Sequence, residues 1–166
     1  MVFDRLNRAS PSENSRSPNR TVWIFDVDGC LIDSLTGSSL RPGARALLER
    51  LARDRHRVLL WSAGGDDYAR ERAAQFGIDG LVSGYFAKEG RTSGGTYTTS
   101  HLGVDLRRAV FVDDQPGDLG DDVRVVAVSP YLAPDPHDRA LVRIATSESV
   151  TGPGRVAPGA DCAEVG

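Results

Sequence analysis

Val22-Trp23-Ile24-Phe25-Asp26-Val27-Asp28-Gly29-Cys30-Leu31-Ile32-Asp33 is the stretch that decides the architecture of this chain. Apolar residues run directly into two carboxylates spaced i, i+2, and a glycine follows at once. A continuous apolar run closed by a turn signal reads as a buried strand, such as the centre of a parallel sheet. Alternate side chains at the end of a strand point the same way, so Asp26 and Asp28 can face one point beyond the sheet. Open α/β sheets bind ligands there. Taken alone, the stretch equally suits an ordinary strand followed by an Asp-Gly turn.

The neighbouring segments repeat the pattern. Arg57-Val58-Leu59-Leu60-Trp61 reads as a second strand emptying into Ser62-Ala63-Gly64-Gly65, and a short third strand is expected between Ile78 and Ala87. Ala109-Val110-Phe111-Val112 reads as a fourth strand, ending in Asp113-Asp114 with Asp118 close behind, and Arg124 to Val128 as a fifth. Helical stretches separate them. One follows Arg41-Pro42-Gly43 and runs to Arg53, with Leu47, Leu48 and Leu51 as its apolar stripe. A second, capped by Asp66 or Asp67, puts Ala69, Ala73 and Phe76 on one face and stops at Gly77. Leu102 to Arg108 suits a brief helical turn, and Asp135 as cap with Pro136 at the first position predicts a last helix to Ala145. Leu31 to Leu40 reads as a small flap over the first strand end, while the Gly/Ser/Thr-rich 89–101 segment takes no assignment. The expectation is an α/β domain: a doubly wound, Rossmann-like sheet of about five mostly parallel strands. Composition predicts a disordered tail over 1–20 and a loose one over 146–166.

At 166 residues the chain suits one domain with its own core. A net charge of -3 argues against general nucleic-acid binding. No apolar run approaches the roughly 18 residues of a membrane span, and the amino terminus lacks the apolar segment of a signal peptide. Two distant cysteines, Cys30 and Cys162, offer neither a disulfide framework nor metal spacing, so the expected setting is the cytoplasm. Of the 20 basic residues, 19 are arginines and Lys88 is the sole lysine. In so biased a background a lysine is a candidate for work arginine cannot do.

Asp26, Asp28, Ser62, Asp113 and Asp114 all follow predicted strand ends, and Lys88 lies behind the third. Converging carboxylates cannot all ionise without compensation. Lys88 and a bound metal are the available cations. Oxygen-only ligands favour a hard ion, and Mg²⁺ suits a site of few carboxylates, water and a substrate phosphate. Ser62 and backbone amides near Gly64 can donate to phosphoryl oxygens that Lys88 neutralises.

These motifs resemble, in order, those of the haloacid dehalogenase-like (HAD) superfamily of phosphotransferases. They are Asp26-Val27-Asp28-Gly29, Ser62 after Leu59-Leu60-Trp61, Lys88, and Asp113-Asp114-Gln115-Pro116-Gly117-Asp118. The resemblance covers residues 21–130 and makes 21–145 a HAD-like phosphatase domain. It implies Asp26 as nucleophile forming an aspartyl-phosphate, and Asp28 as the acid and base that serves the leaving oxygen and then water. It implies Mg²⁺ bound by Asp26, the Asp28 carbonyl and Asp114, with Asp113 or Asp118 direct or through water. Ser62, Ala63 and Lys88 would hold the transferring phosphoryl, with Arg91 a minor rival to Lys88. An acid at position 28 marks phosphatase members rather than dehalogenases.

Cys30 stands where the family usually carries Thr or Val, and it lacks the following Arg of cysteine phosphatases, since Thr36 is there. The gaps between motifs leave no room for a cap domain, and capless members often act on macromolecules. The spelling Leu60-Trp61-Ser62-Ala63-Gly64, with Leu102-Gly103-Val104-Asp105 and Val112-Asp113-Asp114, resembles the protein-serine phosphatase branch, although that branch has a different first motif. Polynucleotide 3′-phosphatases are another capless precedent. The expected function is Mg²⁺-dependent hydrolysis of a phosphomonoester: phosphoprotein, 3′-phosphorylated nucleic acid, or small metabolite. The alternative is a non-catalytic phosphate-binding or regulatory protein on the same fold. A response-regulator receiver fits less well, because its lysine follows its phosphorylated aspartate on a later strand. His56, His101 and His137 lack metal spacing and read as surface or helix-end residues. Trp61 is expected in the core beside the site, Asp33 and Ser34 in a turn or at substrate, and Asp121 and Asp122 in a loop.

Overall fold

Five apolar segments pair side by side as β1 (Val22–Phe25), β2 (Arg57–Ser62), β3 (Gly84–Ala87), β4 (Ala109–Asp113) and β5 (Val125–Ala127). All pairs are parallel, in the order β3-β2-β1-β4-β5. The structure, a computed structural model, describes residues 20–147. Both tails expected from composition lie almost wholly outside the described residues. The register sets Phe25 opposite Leu60 and Val112, so β4 runs one residue and β2 two residues past the end of β1. The chain builds outward from β1 in one direction through β2 and β3, and from β4 in the other. The reversal between β1 and β4 is the position where parallel sheets leave a ligand crevice.

Alternation along the strands sorts the core into two clusters. Trp23, Phe25, Val58, Leu60, Val110 and Val112 pack with α1 (Ala44–Arg53), α2 (Asp66–Gln75) and α3 (Ala140–Thr146) through Ala44, Leu47, Leu48, Leu51, Ala69, Ala73 and Leu141. Fully burying each such leucine stabilises the fold by about 1.5–3 kcal/mol. Val22, Ile24, Leu59, Trp61, Ala109 and Phe111 form a second cluster that, among the described residues, includes no α-helical residue. Short 3₁₀ turns at Ser100–Leu102, Leu106–Arg108 and Pro116–Asp118, with their flanking loops, cover that face through Leu102, Leu119 and Val123. The α/β architecture and parallel sheet are as expected, while the layer on this face is made of turns. A Gly/Ser/Thr-rich connection has no apolar stripe with which to build a helix. Among the described residues no helix is long and apolar enough to cross a membrane.

Three expectations about local structure need correction. Neither Asp66 nor Asp67 caps α2; the cap is Gly65, and both carboxylates lie in the first turn, where they complement the helix dipole. The last helix starts at Ala140, not Pro136, and ends at Thr146. Asp135 instead closes a turn, its Oδ1 accepting from the His137 amide at 2.9 Å. The 31–40 segment is no loose flap. Leu31 and Ile32 are in the core, Arg41 N donates to Leu31 O, and Ser34 N and Leu35 N donate to Tyr131 O and Leu132 O.

Two buried charges lock these loops. Asp33 accepts from the amides of Thr36, Gly37, Ser38 and Ser39 and from Thr36 Oγ1 at 2.6–3.1 Å, which settles its role as a turn residue. Arg41, expected only to introduce a helix, is 1% exposed. Its guanidinium grips both oxygens of Asp138 at 2.8 Å, donates to Ser129 O at 2.8 Å, and reaches Gly29 O and Cys30 O at 3.4 and 3.3 Å. It also stacks 5.2 Å from the centre of the Tyr131 ring.

Burial raises the Asp33 carboxyl, but hydrogen bonds from Thr36, Ser39 and Ser38 outweigh it and hold the group at about 2, below the usual value of about 3.9. A native-state value below the unfolded one stabilises the fold at higher pH, and that stabilisation is lost as pH falls from about 4 to about 2. Asp33→Asn should therefore lower the melting temperature at pH 7, with the gap to wild type closing across that acidic window in thermal melts. Arg41→Met should cost about 3 kcal/mol in urea unfolding, because it strands the partly buried Asp138 carboxylate and several carbonyls.

Candidate active site

The alternation that sorts the core also aims the charged groups. Val22, Ile24 and Asp26 share one side of β1 and its extension, as do Ala109, Phe111 and Asp113 on β4 and Gly84, Phe86 and Lys88 on β3. The Asp26 amide still pairs with Val112 O at 3.0 Å, and the Lys88 amide with Ser62 O at 2.8 Å, so the sheet geometry persists one step past its ends. The three side chains meet on the turn-covered side. Lys88 Nζ lies 2.8 Å from Asp26 Oδ1 and 2.9 Å from Asp113 Oδ2. Trp61 and Tyr97 wall this amine, with ring centres at 5.3 and 5.6 Å, and Trp61 Nε1 donates to Ala87 O. Trp61 is thus in the core beside the site, as expected.

Burial sets the electrostatics. Asp26 is 7% and Asp113 2% exposed. Burial pushes the Asp26 carboxyl up; the Lys88 charge opposes this, and the charges of Asp113 and Asp114 add to it. Burial also works against the Lys88 ammonium, but Asp26 and Asp113 outweigh it and hold its proton more tightly than in free lysine. Burial, then the Asp113 charge, raises the Asp114 carboxyl. The cluster therefore has more negative than positive groups, and its Asp26 and Asp114 carboxyls are pushed up chiefly by burial.

The donor set fits a cation. Asp26, Asp113 and Asp114 each offer a carboxylate oxygen, all within 4.8 Å of one another. Asp114 Oδ1 is buried with no hydrogen-bond partner among the described residues. Gly29 makes the room: its φ is +81°, and a Cβ there would sit 2.6 Å from Asp114 Oδ2. Three hard oxygen donors suit a divalent ion of the magnesium class.

Asp118 is not brought to this group. It faces Arg91, whose Nη1 and Nη2 lie 3.2 and 3.3 Å from its oxygens. Asp118, expected to reach a metal directly or through water, is not among the three clustered acids. The same pairing, with stacking on Tyr97 at 4.1 Å, draws Arg91 outward and away from Lys88's position. Asp28 stands half-buried past the strand end, and its Oδ1 accepts from Tyr68 Oη at 2.6 Å. Its carboxylate is not among the three clustered acids. Ser62 ends β2 buried, its Oγ accepting from Gly64 N at 3.0 Å, which leaves the hydroxyl proton free to donate. Ala63 follows it, exposed, at the start of the turn.

The remaining candidates take structural roles. The Cys30 thiol is buried, donates to Val112 O, and is pushed well up by burial, so it is no nucleophile. His56 Nδ1 accepts from Thr21 N. His101 is less exposed than expected: it packs 6.3 Å from Trp61 and 6.4 Å from Phe86, with a ring nitrogen 2.9 Å from Ala87 O. Tyr68 and Tyr97 were not anticipated. Tyr68 lies beside the apolar stripe of α2, and nothing in a helical period marks a residue that reaches across to another strand's loop.

Among solved structures, an uncharacterized protein from Listeria monocytogenes serotype 4b is similar at 17% identity over 55% of this chain and 66% of that one, with a TM-score of 0.43. The core domain of a protein named as a phosphoglycolate phosphatase, from Streptococcus pneumoniae TIGR4, is similar at 14% identity over 56% and 65%, with a TM-score of 0.41. The chain thus spans just under two thirds of the length of each. No curated protein matches it. The family described as NLI interacting factor-like phosphatase matches residues 12–149, which include every strand and helix described above. The chain belongs to that family of NLI interacting factor-like phosphatases.

Proposed function

We propose that the chain hydrolyses phosphomonoesters by way of a phosphoryl group carried on Asp26. The observation that carries this reading is the Lys88 amine seated between Asp26 and Asp113 beside a buried, unpartnered Asp114 oxygen. Asp26, Asp113 and Asp114 would hold Mg²⁺, aided by the Asp28 carbonyl. That ion, when bound, offsets charge on the phosphate and on the acids around it.

Asp26 is the nucleophile, and Lys88 opposes the protonation that burial favours, keeping an oxygen available for attack. That oxygen bonds to phosphorus as the bond from phosphorus to the ester oxygen breaks, and Asp28 gives the departing oxygen a proton. In the second step Asp28 takes a proton from water as the water oxygen bonds to phosphorus and the Asp26–phosphorus bond breaks. Inorganic phosphate and the neutral alcohol are released, and both acids return to their starting states. Lys88, the Ser62 hydroxyl and the turn at Ala63 hold the phosphoryl oxygens in both steps.

The site is open. Among the described residues, β1 and β2 are joined by a loop and α1 alone, and β2 and β3 by α2 and one 3₁₀ turn. This supports a substrate presented by a macromolecule, a phosphoprotein or a 3′-phosphorylated nucleic acid, over a small enclosed metabolite. The free Cys30 thiol fits a cytoplasmic setting.

Wild type should cleave p-nitrophenyl phosphate with added Mg²⁺, and Asp26→Asn should reduce the rate to background. Equal rates in the two proteins would leave a phosphate-binding protein without turnover. A panel of phosphopeptides, 3′-phosphorylated oligonucleotides and sugar phosphates identifies the substrate class. Gly29→Ala should weaken Mg²⁺ binding, read by calorimetry without substrate, by about ten- to hundredfold, because its methyl displaces the Asp114 carboxylate.

A further inference from the structure

Tyr68 makes a hydrogen bond that the reaction above does not yet use. It lies in the first turns of α2, half-buried, and donates from Oη to Asp28 Oδ1 at 2.6 Å. Its ring is held on two accounts. Gly64 lies so close that a Cβ there would sit 2.7 Å from Tyr68 Cδ1. Arg72, one turn further along α2, sits with its guanidinium 4.9 Å from the ring centre and is itself tied to Gln75 Oε1 at 2.7 Å. Burial, then the bond to Asp28, keeps the phenol protonated and able to donate. Among the described residues no other side chain hydrogen-bonds to Asp28.

We propose that Tyr68 is a positioning residue for the proton transfer: by holding Oδ1 of Asp28, it assigns Oδ2 as the atom that exchanges the proton with the leaving oxygen. The inference rests on the phosphatase reading of Asp26 and Asp28. A hydrogen bond to a carboxylate is about twice as strong as one to a neutral acid. Asp28 passes from acid to carboxylate as it protonates the departing oxygen, so the Tyr68 bond tightens as that transfer advances. An interaction stronger in the transition state than in the ground state speeds the step. The gain is greatest where the departing oxygen most needs a proton, in alkyl esters, and least for p-nitrophenolate, which leaves readily as an anion. A tyrosine that only fills space would make no such distinction.

The test is the dependence of kcat/KM on leaving group, measured on the full chain with Mg²⁺ over aryl and alkyl phosphomonoesters. Tyr68→Phe keeps the ring and removes the donor. It should lower kcat/KM for an alkyl phosphate about tenfold more than for p-nitrophenyl phosphate, a fraction of what general acid catalysis supplies. In an Asp28→Asn background, Tyr68→Phe should change the rate on phenyl phosphate less than about twofold, since the two residues act as one unit. Matching melting temperatures show that the fold is kept. A uniform loss across the ester series, or an undiminished effect of Tyr68→Phe in the Asp28→Asn background, overturns the positioning role. Normal wild-type turnover with an inactive Asp26→Asn and no Tyr68→Phe effect removes this inference alone; absence of wild-type turnover on every ester removes the phosphatase reading and this one with it.

Discussion

The structure turns on one ammonium placed between two buried carboxylates. Taking Lys88, Asp26 and Asp113 out of water costs several kcal/mol for each ion, and their attraction recovers that cost only with close, well-directed contacts. Contacts of 2.8 and 2.9 Å meet that condition for the amine. They do not meet it for the whole cluster, because Asp114 brings a further acid whose buried Oδ1 has no hydrogen-bond partner among the described residues. Three acids against one ammonium make a cluster that a divalent cation would stabilise. The same imbalance that burdens the fold equips the site.

What places these groups is the pleat of a parallel sheet. Parallel strands in register, as β1 and β4 are, deliver residues of equal parity to one side. This is why the convergence of Asp26, Asp113 and Lys88 was legible before any coordinates: apolar runs marked the strands, and polar residues marked where they stopped. The sole lysine of an arginine-rich chain was legible for a different reason, since its compact ammonium fits between two carboxylates where a planar guanidinium would not.

The less legible features share a cause. Arg41 looked like a helix entrance because the residues that bury it, Ser129, Tyr131 and Asp138, lie far along the chain. Asp118 looked like a ligand from its spacing, but its partner Arg91 comes from a separate loop. Asp135-Pro136 carries the signature of a helix start, and the same two residues serve equally to close a turn. Local patterns specify local options, and contacts across the fold choose among them. The turn-built face follows the opposite logic: its Gly/Ser/Thr-rich connection offered no helix in the sequence, and tertiary packing did not impose one.

Arg41 has a reach that extends beyond holding loops together. Through it the carbonyls of Gly29 and Cys30, just behind the first acidic pair, share one side chain with Asp138, which in turn accepts from the Ala140 amide at the start of α3. The final helix is therefore tied through Asp138 and Arg41 to the loop that follows β1. Any force, ligand or covalent change that pries α3 from α1 would register first as a looser seat for Gly29, and hence for the carboxylate it shelters.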